Sequence, residues 1–326
     1  MKALVIGGSG IIGNHVIRAL LSEGIIVRSL TRGITPSKNL DDLNVETMRG
    51  DASDEDTLLI AMKGCDWVFH TAAYYPTHMF DRKGHVNSAL NSIRTFISAV
   101  SKSALNKVVY TSSLTTIGMA KTLADETVPY NLAAKLPHPY FEVKYLMEDE
   151  IKKAALIKQL PITIVNPTGC FGPYELKPKN LCIIPQLVNQ KMPAFVDHCI
   201  NVVDAADVAK GHVESAKRGK NGDRVVLGGH NTTVFELITT ICKVAKVKPP
   251  RFQVPLSIGL IPCFLSECIG YMTNTPPMLP ILGLRFIQYG QKFDLSKQTQ
   301  SLGVIPSPME PCFERAINWY KKIGYC

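Results

Sequence analysis

A short apolar run over residues 3–6 stops at Gly7-Gly8-Ser9-Gly10-Ile11-Ile12-Gly13, and few folds accommodate that arrangement so early in a chain. Beyond it Ile11, Ile12, Val16, Ile17, Leu20 and Leu21 recur at helical spacing up to Glu23, the pattern of a helix buried along one side. A second apolar run follows Gly24 and ends at Thr31-Arg32. Strand, glycine turn, helix, strand is a βαβ unit, and its turn suits a dinucleotide. Gly7 takes the tight turn off the strand. Gly10 lets backbone approach a pyrophosphate that a Cβ would strike, and Gly13 lets the helix lie close to the sheet. The helix is expected to begin near Gly10. Free N–H groups at Ile11 and Ile12 and the positive end of its dipole then face the phosphates.

Strands and helices go on alternating through the first half. Strands are expected at 45–48, 66–70, 107–113 and 161–167, with long helices at about 81–102 and 140–157. Further on come a strand at 199–203, a helix over 204–217 capped by Asp204, a short strand at 224–227, and helices at 234–244 and about 310–322. The pattern predicts an α/β chain, a Rossmann-type doubly wound parallel sheet with a smaller, mixed C-terminal substrate domain. The dinucleotide-binding domain is placed over 1–170 with a return segment about 199–227; 171–198 and 228–326 form the substrate-binding or lid region. Segment 254–272 is apolar, with Glu267 its one charge and Pro255 and Pro262 within it. A buried lid helix is expected there, with contact to a membrane or a lipid-like substrate as the alternative.

Composition narrows the function classes. The net charge is +9, but the basic residues are dispersed, with short clusters at Lys152-Lys153, Lys217-Arg218 and Lys321-Lys322, and aromatics do not alternate with them. That favours a solvated surface with some pull on anionic ligands over a nucleic-acid partner. Nine cysteines occur without a Cys-x-x-Cys pair, which points to reduced thiols in a cytoplasmic protein and to no metal site. The glycines at 7–10 break the first apolar run, so no signal peptide is expected. No uninterrupted apolar run of about 18 residues exists, so no membrane span is expected either.

Chemistry enters with Tyr140 and Lys144, four residues apart on one face of a helix that Pro139 opens, and with serines leaving the fifth strand. Taken alone, the pair also reads as a tyrosine packed on the sheet and a solvated lysine. Asp51 reads either as a cap for the next helix, with Ser53 and Asp54 as rivals, or as an acceptor for the adenine amino group. His70 reads as a hydrogen-bonded strand-end histidine rather than a catalyst.

These motifs together resemble the extended short-chain dehydrogenase/reductase superfamily. The resemblance rests on Gly7-x-x-Gly10-x-x-Gly13, Val68-Phe-His70-Thr-Ala-Ala73, Tyr110-Thr-Ser-Ser113, Tyr140-x-x-x-Lys144, and Asn166-Pro167 with Phe171-Gly172-Pro173. Residues 164–168, 191–197, 201–209, 293–297 and 302–306 look like the dihydroflavonol-4-reductase-like group, and within it most like the hopanoid-associated sugar epimerase family. The resemblance implies Ser113, Tyr140 and Lys144 as the catalytic set, with Ser112 as rival to Ser113. It implies a cofactor site built from Gly7, Gly10, Ile11, Ile12, Gly13, Thr31, Arg32, Asp51, Ala52, Thr71, Ala72, Ala73, Thr111, Tyr140, Lys144, Asn166 and Pro167. It also implies a homodimer paired through the two long helices. One departure stands out: His85 occupies a place where relatives usually carry Asn.

A free tyrosine titrates near ~10 and is a poor base at neutral pH, so Lys144 and an oxidised nicotinamide would be needed to favour its phenolate. Lys144 would also hold the ribose hydroxyls, while Tyr140 exchanges a proton with the substrate oxygen and Ser113 fixes that oxygen. NAD-preferring relatives end the second strand in an acid that binds the ribose 2′-OH. Here Thr31 and Arg32 stand at that point, with Lys38 nearby, which predicts preference for NADP(H), with NAD(H) as the alternative. The reading is a reductase of a small-molecule ketone or aldehyde. Its competitors are a sugar-nucleotide epimerase or dehydratase, with Arg251 and Arg285 available to a diphosphate, and a cofactor-sensing regulatory or scaffold protein.

Overall fold

The computed structural model describes residues 1–33, 39–76, 78–131 and 138–326. Seven parallel strands form the central sheet: β1 (Lys2–Ile6), β2 (Ile26–Thr31), β3 (Glu46–Arg49), β4 (Trp67–His70), β5 (Lys107–Thr111), β6 (Ile162–Pro167) and β7 (Arg224–Leu227). Their order is β7-β6-β5-β4-β1-β2-β3, so the winding reverses between β1 and β4. The inner strands are apolar almost throughout, as strands covered on both faces must be. Ala3 to Ile6 and Val108 to Tyr110 are buried, whereas the edge strand β3, Glu-Thr-Met-Arg, is largely exposed.

Helices cover both faces. On one, α1 (Ile11–Ser22) and α5 (Ala205–Arg218) close a core around Val5, Leu20, Phe69, Val109 and Val208. On the other, α2 (Glu55–Met62), α3 (Arg82–Ser101) and α4 (Pro139–Leu156) bury Leu4, Phe96, Tyr110, Met147 and Ile164. At such a reversal the carboxyl ends of the strands open a crevice, which is where ligands of doubly wound sheets bind.

The strand expected at 199–203 forms as Cys199–Asp204 but stays outside the main sheet. It pairs antiparallel with His230–Thr233 and parallel with Gly169–Phe171. Helices Ile183–Val188, Val234–Ala245 and Met309–Lys322 gather beside it around a separate core that includes Ile238, Phe313 and Tyr320. Two further helices follow and pack on each other, α6 (Leu256–Thr273) and α7 (Ile281–Gln288). α7 packs Phe286 onto Tyr140 and Phe141 at the start of α4. The expectation of a buried lid helix is corrected for α6, in which Cys263, Glu267 and Gly270 are buried and most of the rest faces outward. Apolar composition specifies a helix that wants cover, not that the fold provides it.

Candidate active site

The glycine turn is built by contact distances. Gly7 sits at φ +87°, and a Cβ there would stand 2.8 Å from the Ala72 backbone nitrogen, so close approach and left-handed backbone both require glycine. A Cβ on Gly13 would meet the Gly7 carbonyl oxygen at 2.3 Å and Thr71 Oγ1 at 2.6 Å. Thr71 Oγ1 itself donates to the Ile6 carbonyl, tying the end of β4 to β1. Gly8, to which the sequence assigned no role, is constrained by side chains rather than backbone, since its Cβ would stand 2.3 Å from Ser29 Oγ on β2 and 2.6 Å from the Ile17 side chain. Gly10 differs: the nearest protein atom to its Cβ position is the Gly7 oxygen at 3.5 Å, and no side chain caps α1. Open space over Gly10, beside the first N–H groups of α1 at Ile11, Ile12 and Gly13, fits an anionic pyrophosphate.

At the end of β2, Thr31 lies opposite Arg49 of β3, and its carbonyl accepts the Gly50 N–H at 3.0 Å. Arg32 is exposed. Asp51 accepts from the Ser53 N–H and hydroxyl at 2.8 Å each. Those two bonds, with Arg32 adding its charge, hold the Asp51 carboxyl below its ordinary range. The cap of α2 is Asp54, which accepts the Thr57 N–H, so the capping alternative for Asp51 is set aside. Ala52 packs partly buried against the core under α2, and Ala73 follows β4 half-buried. Lys38 lies outside the described residues.

Ser113, Tyr140 and Lys144 come together at the carboxyl end of β5. His138 caps α4 by accepting the Tyr140 N–H at 3.2 Å, which leaves its ring proton on Nε2. Ser113 Oγ accepts from the Thr115 N–H at 3.2 Å and from the Thr115 hydroxyl at 2.9 Å. Its own proton is therefore free to be donated, and it is directed at the Tyr140 oxygen. Tyr140 in turn bonds to the half-exposed Tyr75, whose ring lies 5.1 Å from its own. Burial, reinforced by Tyr75, drives the Tyr140 phenol well above its ordinary value against the pull of Ser113. Lys144 Nζ stands 6.0 Å from the centroid of the Tyr140 ring. Burial pushes its ammonium down to about 8, opposed by Glu148.

Glu148, one turn beyond Lys144, went unremarked in the sequence. It is 1% exposed and accepts from Ser112 Oγ at 2.5 Å, Thr116 Oγ1 at 2.5 Å and Asn166 Nδ2 at 2.8 Å. Arg224 of β7 and Lys152 pair with its other oxygen at 2.8 Å. Burial pushes its carboxyl up, but Arg224, Lys152 and Ser112 outweigh it and hold the group below the ordinary value. One carboxylate thus ties α4 to β5, β6 and β7, and it engages Ser112, leaving Ser113 beside Tyr140. The signal lay in the four-residue ladder Tyr140, Lys144, Glu148, Lys152 along one helix face.

Asn166 and Pro167 end β6. The Asn166 amide also donates to the Ser113 carbonyl at 3.0 Å, and its Oδ1 is buried with no partner among the described residues. Thr111 turns its hydroxyl to His212 Nε2 of α5 at 2.8 Å, so only its backbone remains available to the crevice. His70 packs its ring 4.4 Å from Phe96 and 5.4 Å from Tyr110. Its Nδ1 is buried with no partner among the described residues. Burial, then Lys144, pushes it down to about 4, so it stays neutral. His85, in the first turn of α3, bonds Tyr74 Oη through Nδ1 at 3.0 Å, and its ring lies 5.2 Å from that of His78, tilted by 59°.

The family model for the NAD dependent epimerase/dehydratase family matches residues 3–228. Among sequence relatives, a protein of Synechocystis sp. named “Putative dihydroflavonol 4-reductase” is 32% identical over 98% of this chain and 95% of its own. The crystal structure of gox2253 superposes with a TM-score of 0.84 at 30% identity, over 99% of each chain. UDP-glucuronic acid 4-epimerase of Bacillus cereus, in complex with UDP-glucuronic acid and NAD, gives a TM-score of 0.77 at 20% identity, over 99% of this chain and 100% of its own. That last likeness is one of fold.

Proposed function

The chain belongs to the NAD dependent epimerase/dehydratase family of extended short-chain dehydrogenases/reductases, and on that premise we propose that this NAD(P)-dependent oxidoreductase uses NADPH to reduce a ketone or aldehyde on a medium-sized substrate. The observation that carries the reading is the run of hydroxyls Ser113, Tyr140 and Tyr75, with the phenol in the middle held firmly protonated. A reductase needs an acid at this place. When bound, the nicotinamide supplies the hydride. Tyr140 gives its proton to the substrate oxygen as that oxygen gains charge, and Ser113, already donating in that direction, holds it in place. Lys144 sets a cation beside the phenolate left behind and is the group available to ribose hydroxyls. Tyr75 connects the buried phenol to solvent, the route by which Tyr140 recovers a proton. Replacing Tyr140 by Phe is expected to abolish carbonyl reduction while NADPH binding, read by fluorescence titration, persists; undiminished turnover overturns the assignment.

Preference for NADPH rests on Thr31 and Arg32, which put no carboxylate against a 2′-phosphate and offer it a guanidinium fork. NADPH is expected to outperform NADH in kcat/KM, and Arg32→Glu to reverse the order. Arg285 favours one other reading. Its Nε is buried without a partner among the described residues, next to Phe286 against Tyr140, where it suits a substrate diphosphate. NAD retained through purification, with no net consumption of NADPH, is the outcome that selects that epimerase reading. The proposal further pairs two copies through α3 and α4, checked by light scattering, and places the enzyme in the cytoplasm, where its nine free thiols stay reduced.

A further inference from the structure

Helix α6 presents its apolar side to water. Ile258, Ile261, Leu265, Ile269 and Met272 follow at helical spacing along one face and are 55–84% exposed. The opposite face, with Cys263, Glu267 and Gly270, is the buried one. Single exposed apolar residues are ordinary; a contiguous row of them marks a surface that something covers. Along the chain between residues 243 and 280 the exposed charged side chains are Lys243, Lys246, Lys248 and Arg251, all in the stretch that leads into the helix, and the sole acid of that stretch and the helix, Glu267, is 1% exposed. Phe252, next to Arg251, adds an exposed aromatic ring where the chain enters the helix.

We propose that this face docks on the surface of an anionic lipid bilayer. An apolar stripe flanked by cations is the design of a helix lying in the plane of the interface, with the stripe among acyl chains and the lysines at headgroup phosphates. α6 is long and apolar enough to cross a membrane by length and composition. Glu267 opposes a crossing: its carboxylate accepts the Met79 and Ile281 N–H groups at 3.0 and 3.1 Å, fastening the helix flat on the body of the enzyme. Tyr271 adds packing against His78 and Phe80 beside the crevice. The docked helix is thus joined at Ile281 to α7, which packs on Tyr140, although docking does not depend on the chemistry assigned there.

The test is co-sedimentation of the full chain with vesicles of phosphatidylglycerol and phosphatidylcholine, without substrate or turnover. Binding is expected, weaker in salt and weaker still on pure phosphatidylcholine. The variant Ile261→Ser, Leu265→Ser, Ile269→Ser changes exposed positions alone and keeps the Tm; its partitioning is expected to fall at least about tenfold. Lys246→Glu with Lys248→Glu is expected to erase the preference for anionic vesicles. Failure of the wild-type chain to sediment, or equal sedimentation of the serine variant, overturns the proposal. So does a dimer that the serine variant dissociates while neither form binds vesicles, since a second copy is then the occupant.

Discussion

Burial works against the charge of Lys144, and Glu148 one turn on restores part of it. With the ammonium at about 8, the cation beside Tyr140 is present below that pH and fades above it. The kcat/KM of carbonyl reduction is therefore expected to fall as pH rises through about 8. Glu148→Gln removes the charge that raises Lys144, so the same limb is expected at lower pH. A limb that does not move would detach it from this pair. The variant also leaves Arg224 without its buried partner, at a cost of roughly 3–5 kcal/mol in stability, so its profile belongs well below its lowered Tm. Such couplings mark where sequence legibility ended. The Tyr140–Lys144 spacing is local and could be read directly. The resemblance favoured Ser113 over Ser112, but the physical reason, Glu148 engaging Ser112, arises only after α4 has packed on β5.

Among elements, the glycine turn and α1 divide into positions fixed by the protein and one position kept open. Gly13 has no room for a side chain, whereas Gly10 faces space. Gly13→Ala is expected to lower stability by about 1–3 kcal/mol, visible as a drop in Tm without any ligand. Gly10→Ala, at the head of α1, is expected to cost under about 1 kcal/mol. Yet it should weaken NADPH binding at least tenfold, because the added methyl occupies the space assigned to pyrophosphate. Equal effects on NADPH binding with no difference in Tm would contradict this division. Gly7 and Gly13 were legible from their spacing in the turn, although the atoms that exclude a side chain there include Ala72 and Thr71, which arrive from the end of β4. Gly8 falls outside that spacing, and its contacts with Ser29 and Ile17 appear only once α1 and β2 have packed. The outward face of α6 escaped the sequence for a related reason: periodicity reports which residues share a side, and the neighbours decide whether that side is covered.

Over the whole molecule the alternation of apolar runs and helical periods made the doubly wound sheet readable, since parallel strands covered on both faces carry little polar character. Strand partners beyond the sheet were less readable, and Cys199–Asp204 found its neighbours in Gly169–Phe171 and His230–Thr233. The same two-sided burial fixes how the protein answers acid. His70 ends β4, His138 caps α4, and His212 lies in α5 on the opposite face; burial pushes each down to about 4. A histidine in the unfolded chain titrates near ~6.5. Between those values the unfolded chain binds protons that the folded chain refuses, so stability rises with pH and is lost as pH falls from about 6.5 to 4. Each histidine accounts for up to roughly 3 kcal/mol across that window. Glu148, held below the ordinary carboxylate range, adds its loss only at lower pH. His15 and His85 are held down by burial as well, so unfolding by urea at a series of pH values is expected to show a steep fall in stability in the histidine window, with an uptake of at least about three protons. His212→Gln keeps a side chain able to bond Thr111 but removes one titration, so its slope is expected to fall by about one proton. Parallel slopes in the two proteins would place the acid sensitivity elsewhere than in His212.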